Sequence, residues 1–345
     1  MKRLTLILLL FSSTAFAQQP HPVITSVAPD HGPAEGGTLV TIKGADFFLC
    51  PVCSPPTPPI VGFGSTAPGT LVLAQRVRLL DSNTIEAVTP AYVAGATDVF
   101  VEDIGFATTA STAARKAFTF DPPSPFEPLL LPILLPDTAG AFRSVFRTSA
   151  DLVNSGDRDV TALGLIFGCG FAPATLVLPP KARSAPECIE LTGRPGRIAW
   201  VPAGTGNDIE GGMRVFDVSR TSTNFGTRIP LVRARDFRSS RIALLGLPLN
   251  PNFRLTLRIY SLEPEATSVT VRWFGNATTV PLRAGDDQFD PAFATFNDFP
   301  VPALADPPPQ FGDVVIDPDD PSRHTWAFVT ATNTETQEIT TISQK

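Results

Sequence analysis

The sequence predicts an all-β protein built as tandem β-sandwiches. Three observations carry that reading. The 36 prolines and 25 glycines recur between apolar runs, and proline opposes long helices because it lacks an amide hydrogen and clashes with the preceding turn. Short segments alternate polar and apolar residues with period two, as a half-buried strand does. Gly/Pro turn clusters separate these segments at the spacing of a sandwich. The composition supplies cores, with 43% hydrophobic residues, 25 Phe against 2 Tyr, and 17% charged residues, against about 25% charged on average. A length of 345 residues suits two or three domains of about 100–200 residues each.

Residues 1–17 read as a signal peptide. Lys2 and Arg3 form a positive start, Leu4 to Phe11 an apolar stretch, and Ala15-Phe16-Ala17 the small-x-small pattern before cleavage. Cleavage after Ala17 leaves Gln18 first, and no Cys follows to take a lipid. The apolar stretch is shorter than the ~20 residues of a spanning helix. Removing 17 residues from 345 leaves 328, and losing Lys2 and Arg3 leaves 25 Lys+Arg against 33 Asp+Glu, a net charge of −8. Leu129 to Leu135 is the nearest later approach to a membrane span, and Pro132 interrupts it. The acidic balance disfavours nucleic acid and anionic lipid, which need a basic patch. The expected location is secreted or periplasmic, with no membrane insertion once the leader is gone.

The first mature unit is expected over 22–121. Gly36-Gly37 marks a turn, because paired glycines permit positive φ. Strands are expected at Thr38 to Ile42, Ile60 to Gly64, Val77 to Leu80, Thr84 to Thr89, Thr97 to Glu102 and Ala117 to Phe120. A proline-rich insert runs from Cys50 to Pro59. The four cysteines are an even set, as expected where disulfides form. Of three pairings, the local one is expected: Cys50–Cys53 and Cys169–Cys188. A redox role for Cys50-Pro-Val-Cys53 would need a helix N-terminus to lower a thiol pKa, and the surrounding prolines oppose one. A zinc site needs four Cys or His ligands, and only one such pair is present.

These stretches resemble the IPT/TIG family of immunoglobulin-like domains. The resemblance rests on Pro22 to Pro29, Gly32 to Gly44 with Phe47, Val61 to Gly64, Asn83 to Pro90, Asp98 to Val101 and Phe118 to Phe120. It implies an immunoglobulin-like sandwich serving as a binding or spacer module, with no catalytic residues. Some transcription factors of the family contact DNA, a role the leader and negative charge oppose here. The insert at Cys50–Pro59 departs from the family pattern. Phe47, Phe48, Leu49, Pro51 and Val52 are its candidate binding residues.

Residues 122–125 form a Pro-rich linker, since stacked prolines favour an extended spacer. Beyond it a faint repeat is visible. Phe146-Arg147 opens a strand, an acidic turn and a Val-Thr strand, and Phe253-Arg254 opens the same series 107 residues on, counting Arg147 to Arg254. Arg214 to Val218 followed by Thr227 to Val232 resembles Trp326 to Thr330 followed by Glu338 to Ile342. Each set reads as a hairpin, so two related sandwiches are expected at 126–233 and 237–345. The whole fold is then a set of tandem immunoglobulin-like β-sandwiches.

Catalytic signals are weak. His21 lies in the N-terminal tail, while His31 and His324 are expected in turns. There is no Gly-x-Ser-x-Gly elbow and no phosphate-binding glycine loop. Asp286, Asp287 and Asp290, and then Asp313, Asp317, Asp319 and Asp320, sit among glycines and prolines. Exposed loops are expected there, with calcium as the alternative because it takes oxygen ligands from such loops. No other cofactor is expected. Arg214, Arg220, Arg228, Arg233, Arg235, Arg238 and Arg241 cluster at the second joint. They read as strand-edge charge and salt bridges, or else as an anionic-glycan surface. Trp200, Trp273 and Trp326 lie in apolar strand patterns and are expected in cores.

The function expected is that of an exported, non-catalytic binding or structural protein of a bacterial cell envelope, acting through sandwich loops on a protein or glycan. The alternatives are an ancillary carbohydrate-binding protein of a polysaccharide-active system and a periplasmic assembly subunit or chaperone.

Overall fold

The structure is a computed structural model describing residues 21–50, 53–65, 70–104, 109–134, 137–140, 143–165, 175–184, 196–219, 226–285, 287–297, 299 and 310–344. The signal peptide, Cys169 and Cys188 lie outside the described residues. Among the described residues the regular structure is strand, apart from 3-10 turns at Ala234–Asp236 and at Arg143.

The first sandwich contains β1 (Val23–Ala28), β2 (His31–Pro33), β3 (Leu39–Ala45), β4 (Ile60–Phe63), β5 (Val72–Leu73), β6 (Arg76–Asp81), β7 (Thr84–Val88), β8 (Gly95–Ile104) and β9 (Thr109–Asp121). One sheet has the order β1-β3-β7-β6 and the other β2-β9-β8-β4-β5. Period-two alternation turns Val40, Ile42, Ile85 and Ala87 of one sheet toward Val61, Phe63, Val99, Val101, Phe118 and Phe120 of the other, and all are buried. Phe63 meets Phe118 edge-on at 5.6 Å and Phe120 at 5.8 Å. Burying one such ring contributes about 1.5–3 kcal/mol. His31, expected in a turn, instead lies in β2, which pairs in parallel with the end of β9.

The second sandwich contains β10 (Phe126–Leu131), β11 (Thr138–Ala139), β12 (Val145–Asn154), β13 (Val160–Leu163), β14 (Thr175–Leu178), β15 (Arg183–Ser184), β16 (Arg197–Pro202), β17 (Ile209–Asp217), β18 (Thr227–Pro230) and β19 (Val232–Arg233). The third contains β20 (Ile242–Pro248), β21 (Phe253–Ser261), β22 (Thr267–Trp273), β23 (Asn276–Leu282), β24 (Ala292–Phe296), β25 (Phe311–Pro318), β26 (Thr325–Asn333) and β27 (Ile339–Ser343).

These two sandwiches share one topology. The order β14-β13-β16-β10 in the second corresponds to β23-β22-β25-β20 in the third. In the opposite sheets, β15, β12, β17 and β18 correspond to β24, β21, β26 and β27. Phe146 and Phe253 fall on the corresponding strands β12 and β21, while Phe216 and Phe328 fall on β17 and β26.

One detail of the expected repeat is corrected. β12 and β13 do not form a hairpin, nor do β21 and β22; each pair lies in opposite sheets. The acidic turn between them carries the chain across the core rather than back along a neighbour. Strand–turn–strand patterning is the same in both cases, because each strand buries one face either way. The pairs β17–β18 and β26–β27 are true hairpins.

The linker does not hold the first two sandwiches apart. Phe126, directly after it, packs against the first core, as do Leu163 and Trp200 of the second sandwich and Phe289 of the third.

Candidate functional site

The Cys50–Cys53 bond is present, with an S–S distance of 2.02 Å. The Cys50 amide donates to the Thr57 carbonyl at 2.8 Å, tying both arms of the insert together. The apolar shoulder expected beside it is only partly surface. Phe47 is 2% exposed and belongs to the core, because the chain turns inward after β3, and Cys50 is buried with it. Phe48 is half-buried and Leu49 is exposed. Pro51 and Val52 lie outside the described residues. Near the Phe48 backbone amide lies Asp103, which the sequence reading passed over. It continues the inward row Val99, Val101, Asp103 of β8 and is fully buried.

A second constellation gathers where the three sandwiches meet. Its centre is the turn joining β23 to β24. Gly285 donates to the Pro264 carbonyl at 2.7 Å, and the Phe289 amide donates to Asp287 Oδ1 at 2.8 Å. This fixes the turn so that Phe289 projects into the first sandwich, 6.0 Å from the Tyr92 ring. Gly164 makes room for it. A Cβ there would stand 2.3 Å from Phe289 Cδ1, and its φ of +82° is one that side chains disfavour. Arg197 of β16 lies over the Phe289 ring at 5.6 Å, donates from Nε to the Gly164 carbonyl at 2.7 Å and pairs with Asp290 at 3.6 Å. The Ile198 amide donates to the Phe289 carbonyl at 2.7 Å, and Trp200 Nε1 donates to the Gln288 carbonyl at 2.9 Å. Gln288 Nε2 in turn donates to the Ala96 carbonyl of β8 at 2.9 Å. Gln288, Phe289 and Asp290 of the third sandwich thus contact the other two through one turn. Tyr92 closes the far side by donating to the Thr70 carbonyl at 2.7 Å. Burial pushes its phenol pKa upward, with the Asp287 carboxylate adding to the shift.

The acidic residues therefore divide. Asp290 is only 6% exposed and Asp287 is half-buried, against the expectation of open loops: Arg197 offsets the Asp290 charge inside the junction, and Asp287 accepts from the Phe289 amide. Asp286 lies outside the described residues. Asp317 is on β25, where Arg241 Nε at 2.6 Å and Arg272 Nε at 2.9 Å flank it. The Arg241 hydrogen bond leads in holding its carboxyl below the ordinary range, with Arg272 assisting. Asp319 accepts from Thr270 Oγ1 at 2.8 Å, Asp320 from Ser322 Oγ at 2.7 Å, and Asp313 from the Gly246 amide at 2.9 Å. Among the described residues no three His, Cys, Asp or Glu side chains are grouped to hold a metal ion.

The arginine stretch is dispersed. Arg233 donates to the carbonyls of Gly206 and Ile209, Arg235 to Asn207, and Arg241 to Asp317. Arg214 lies in β17 and Arg228 in β18, while Arg238 pairs its backbone with Thr325. Arg220 lies outside the described residues. Trp273 and Trp326 are buried, while Trp200 is half-buried at the junction. The histidines stay apart from one another. His21 is exposed, His31 meets Asp121 at 2.9 Å, and His324 meets Glu263 at 2.8 Å.

Comparison with known families assigns the first unit. Residues 22–120 match the IPT/TIG domain family. The first sandwich is an IPT/TIG domain. It is thus an immunoglobulin-like module of a non-catalytic binding or structural family. No family matches the two later sandwiches. A search of curated proteins finds no match to the chain.

Proposed function

We propose that this is an exported, non-catalytic binding or structural protein of a bacterial cell envelope, in which the IPT/TIG domain is held at a fixed attitude on two further sandwiches. The observation that carries the reading is the junction at Gly285–Asp290. A chain of independent modules joined by a linker has no use for a turn of the third module seated against Tyr92 of the first. Fixing the modules presents their end loops in one geometry, and loops on rigid scaffolds are where sandwich proteins place contacts. The glycan reading has less support, because Trp273 and Trp326 are buried and offer no ring for a sugar. The assembly reading needs an edge strand open to augmentation. The edge strand β6 carries Arg76 and Arg78 and a register shift before Asp81, features that protect edges.

The test is export of the full chain from its own N-terminus in a bacterial host. Mature protein beginning at Gln18 in the periplasm or medium is expected, and full-length protein retained in the cytoplasm overturns the reading. Purified mature protein on a glycan array and in envelope pull-downs then separates glycan from protein partners.

A further inference from the structure

The outer face of the β24-β21-β26-β27 sheet changes chemistry along its length. Alternation on β21 turns Leu255, Leu257 and Ile259 into the core and Arg254, Thr256, Arg258 and Tyr260 outward. Their partners on β26 are Thr332, Thr330, Phe328 and Trp326. The aromatic end lies against the second sandwich. That contact continues along β27 to Ile339, which packs on the same core and whose carbonyl accepts from Thr227 of β18. Thr330 and Thr332 are accordingly only 7% exposed each. On β21 the cover thins to a rim, where Thr256 and Arg258 are half-buried and Arg254 is exposed. Thr295, opposite Arg258 on β24, is exposed too.

Arg258 sits where the aromatic and polar ends meet. Its Cζ lies 5.9 Å from the centre of the Phe328 ring, and Nη1 donates to Thr330 Oγ1 at 3.0 Å. Its other N–H donors have no acceptor among the described residues, and neither Arg254 nor Arg258 meets a carboxylate there. The strands themselves supply none. Residues 253–261, 292–296, 325–333 and 339–343 contain no Asp or Glu, in a chain with 33 of them, and Arg254 and Arg258 are their only Lys or Arg. Burial leads in lowering the Arg258 pKa, the Arg254 charge adds to the fall, and Tyr260 opposes it.

A guanidinium drawn out of water is stabilised when an anion meets it, and its planar fork matches two oxygens of one group. We propose that the rim of this joint is an oxyanion site, in which Arg258 grips two oxygens of a carboxylate, sulfate or phosphate group and Arg254 and the Thr256 hydroxyl close on it from the same face. Phe328 and Thr330 already hold the Arg258 side chain in place, which limits the freedom lost on binding. The site is a sheet face at a joint rather than an end loop, so it goes beyond the binding reading above and does not depend on export. A free inorganic ion and an acidic sugar are the two sources of such a group.

The folded mature protein is titrated with sodium phosphate and separately with sodium glucuronate, against sodium chloride at equal ionic strength, because any salt screens exposed charge. The Arg258 Nε–Hε resonance, assigned by its loss in Arg258→Lys, reports binding by NMR. A saturable shift with phosphate or glucuronate and none with chloride is expected, and the tighter of the two names the source. By calorimetry Arg258→Lys, which keeps the charge but not the fork, is expected to bind about tenfold more weakly. The exposed Arg254→Gln should lose about threefold or more, while Arg115→Gln on β9 of the first sandwich should bind as the wild type does. The absence of a saturable shift with both anions overturns the proposal. An affinity within about twofold of wild type in folded Arg258→Lys, or in Arg254→Gln, also overturns it.

Discussion

The two joints of this molecule are built on opposite principles. The second and third sandwiches meet over a broad apolar face. The outer side of the β24-β21-β26-β27 sheet presents Tyr260, Trp326 and Phe328, which belong to the same core cluster as Leu130, Ile198 and Met213 of the second sandwich. β26 is buried along both faces from Thr325 to Thr332. The Tyr260 hydroxyl donates to the Pro132 carbonyl, and Thr227 of β18 donates to the Ile339 carbonyl of β27. The first sandwich is attached instead through a few groups: the Phe289 ring beside Tyr92, the Gln288 hydrogen bond to the Ala96 carbonyl, and Phe126, Leu163 and Trp200 against its core. The Arg197–Asp290 pair and the Ile198 and Trp200 hydrogen bonds hold the Phe289 turn on the second sandwich. An apolar face stabilises in proportion to area and tolerates small shifts. A directed joint depends on every part being placed, so it fixes orientation with little area but fails at single residues.

The contrast breaks most visibly at the apolar joint. Phe328→Ala removes a ring that packs on Tyr260 at 6.4 Å and Trp326 at 5.1 Å. It is expected to cost about 3–5 kcal/mol, the usual range for a buried Phe. In denaturant the second and third sandwiches should unfold in one transition in the wild type and in two in this variant. Two transitions in the wild type would show that the shared core does not couple them.

At the directed joint the largest effect is electrostatic. Asp290→Leu leaves Arg197 buried without its ion-pair partner and is expected to cost about 3 kcal/mol, read as earlier unfolding of the second and third sandwiches, between which the pair lies. Adding Arg197→Met should restore most of that loss, since apolar replacement of a whole buried pair is often neutral. Additive losses in the double variant would mean that the pair contributes through other contacts.

This difference also explains what was legible in the sequence. Alternation located most strands of the first sandwich, and Trp326-Ala-Phe-Val-Thr read as a core run because both faces of β26 are buried. The row Val99, Val101, Asp103 placed a carboxylate inward by period alone, so Asp103 was readable from the same rule. The junction was not. Asp290 reads as a loop acid until Arg197, 93 positions earlier by number, is known to lie beside it. Phe289 among aspartates was the available signal, since a lone aromatic in an acidic turn needs a seat. Local patterning reports which face a residue turns inward, but not which strand crosses to the opposite sheet, so β12–β13 looked like a hairpin.

Gly164 sharpens the comparison at lower cost. Gly164→Ala places a methyl group against Phe289 and forces a positive φ on alanine, so a penalty of about 1–3 kcal/mol is expected. The IPT/TIG domain should then melt separately from the remaining pair, and small-angle scattering should show a broader, more extended particle. A single melting transition with unchanged scattering would mean that Phe289 is not what orients the first sandwich.

The smallest effect is expected at the exposed end of the first sandwich, where His31 of β2 meets Asp121 of β9. The Asp121 hydrogen bond is the leading cause that raises the His31 pKa above 6.5, and its charge adds to the effect. A histidine whose folded pKa is raised contributes stability that is complete below 6.5 and is lost as pH rises through the folded value. The His31 imidazole, followed by NMR, should titrate above 6.5 in the wild type and fall back toward 6.5 in Asp121→Asn. Because the pair is exposed and screened by solvent, the melting temperature should change little across the same range. A wild-type His31 titrating at 6.5 would mean that the β2–β9 contact is held by its backbone pairing alone.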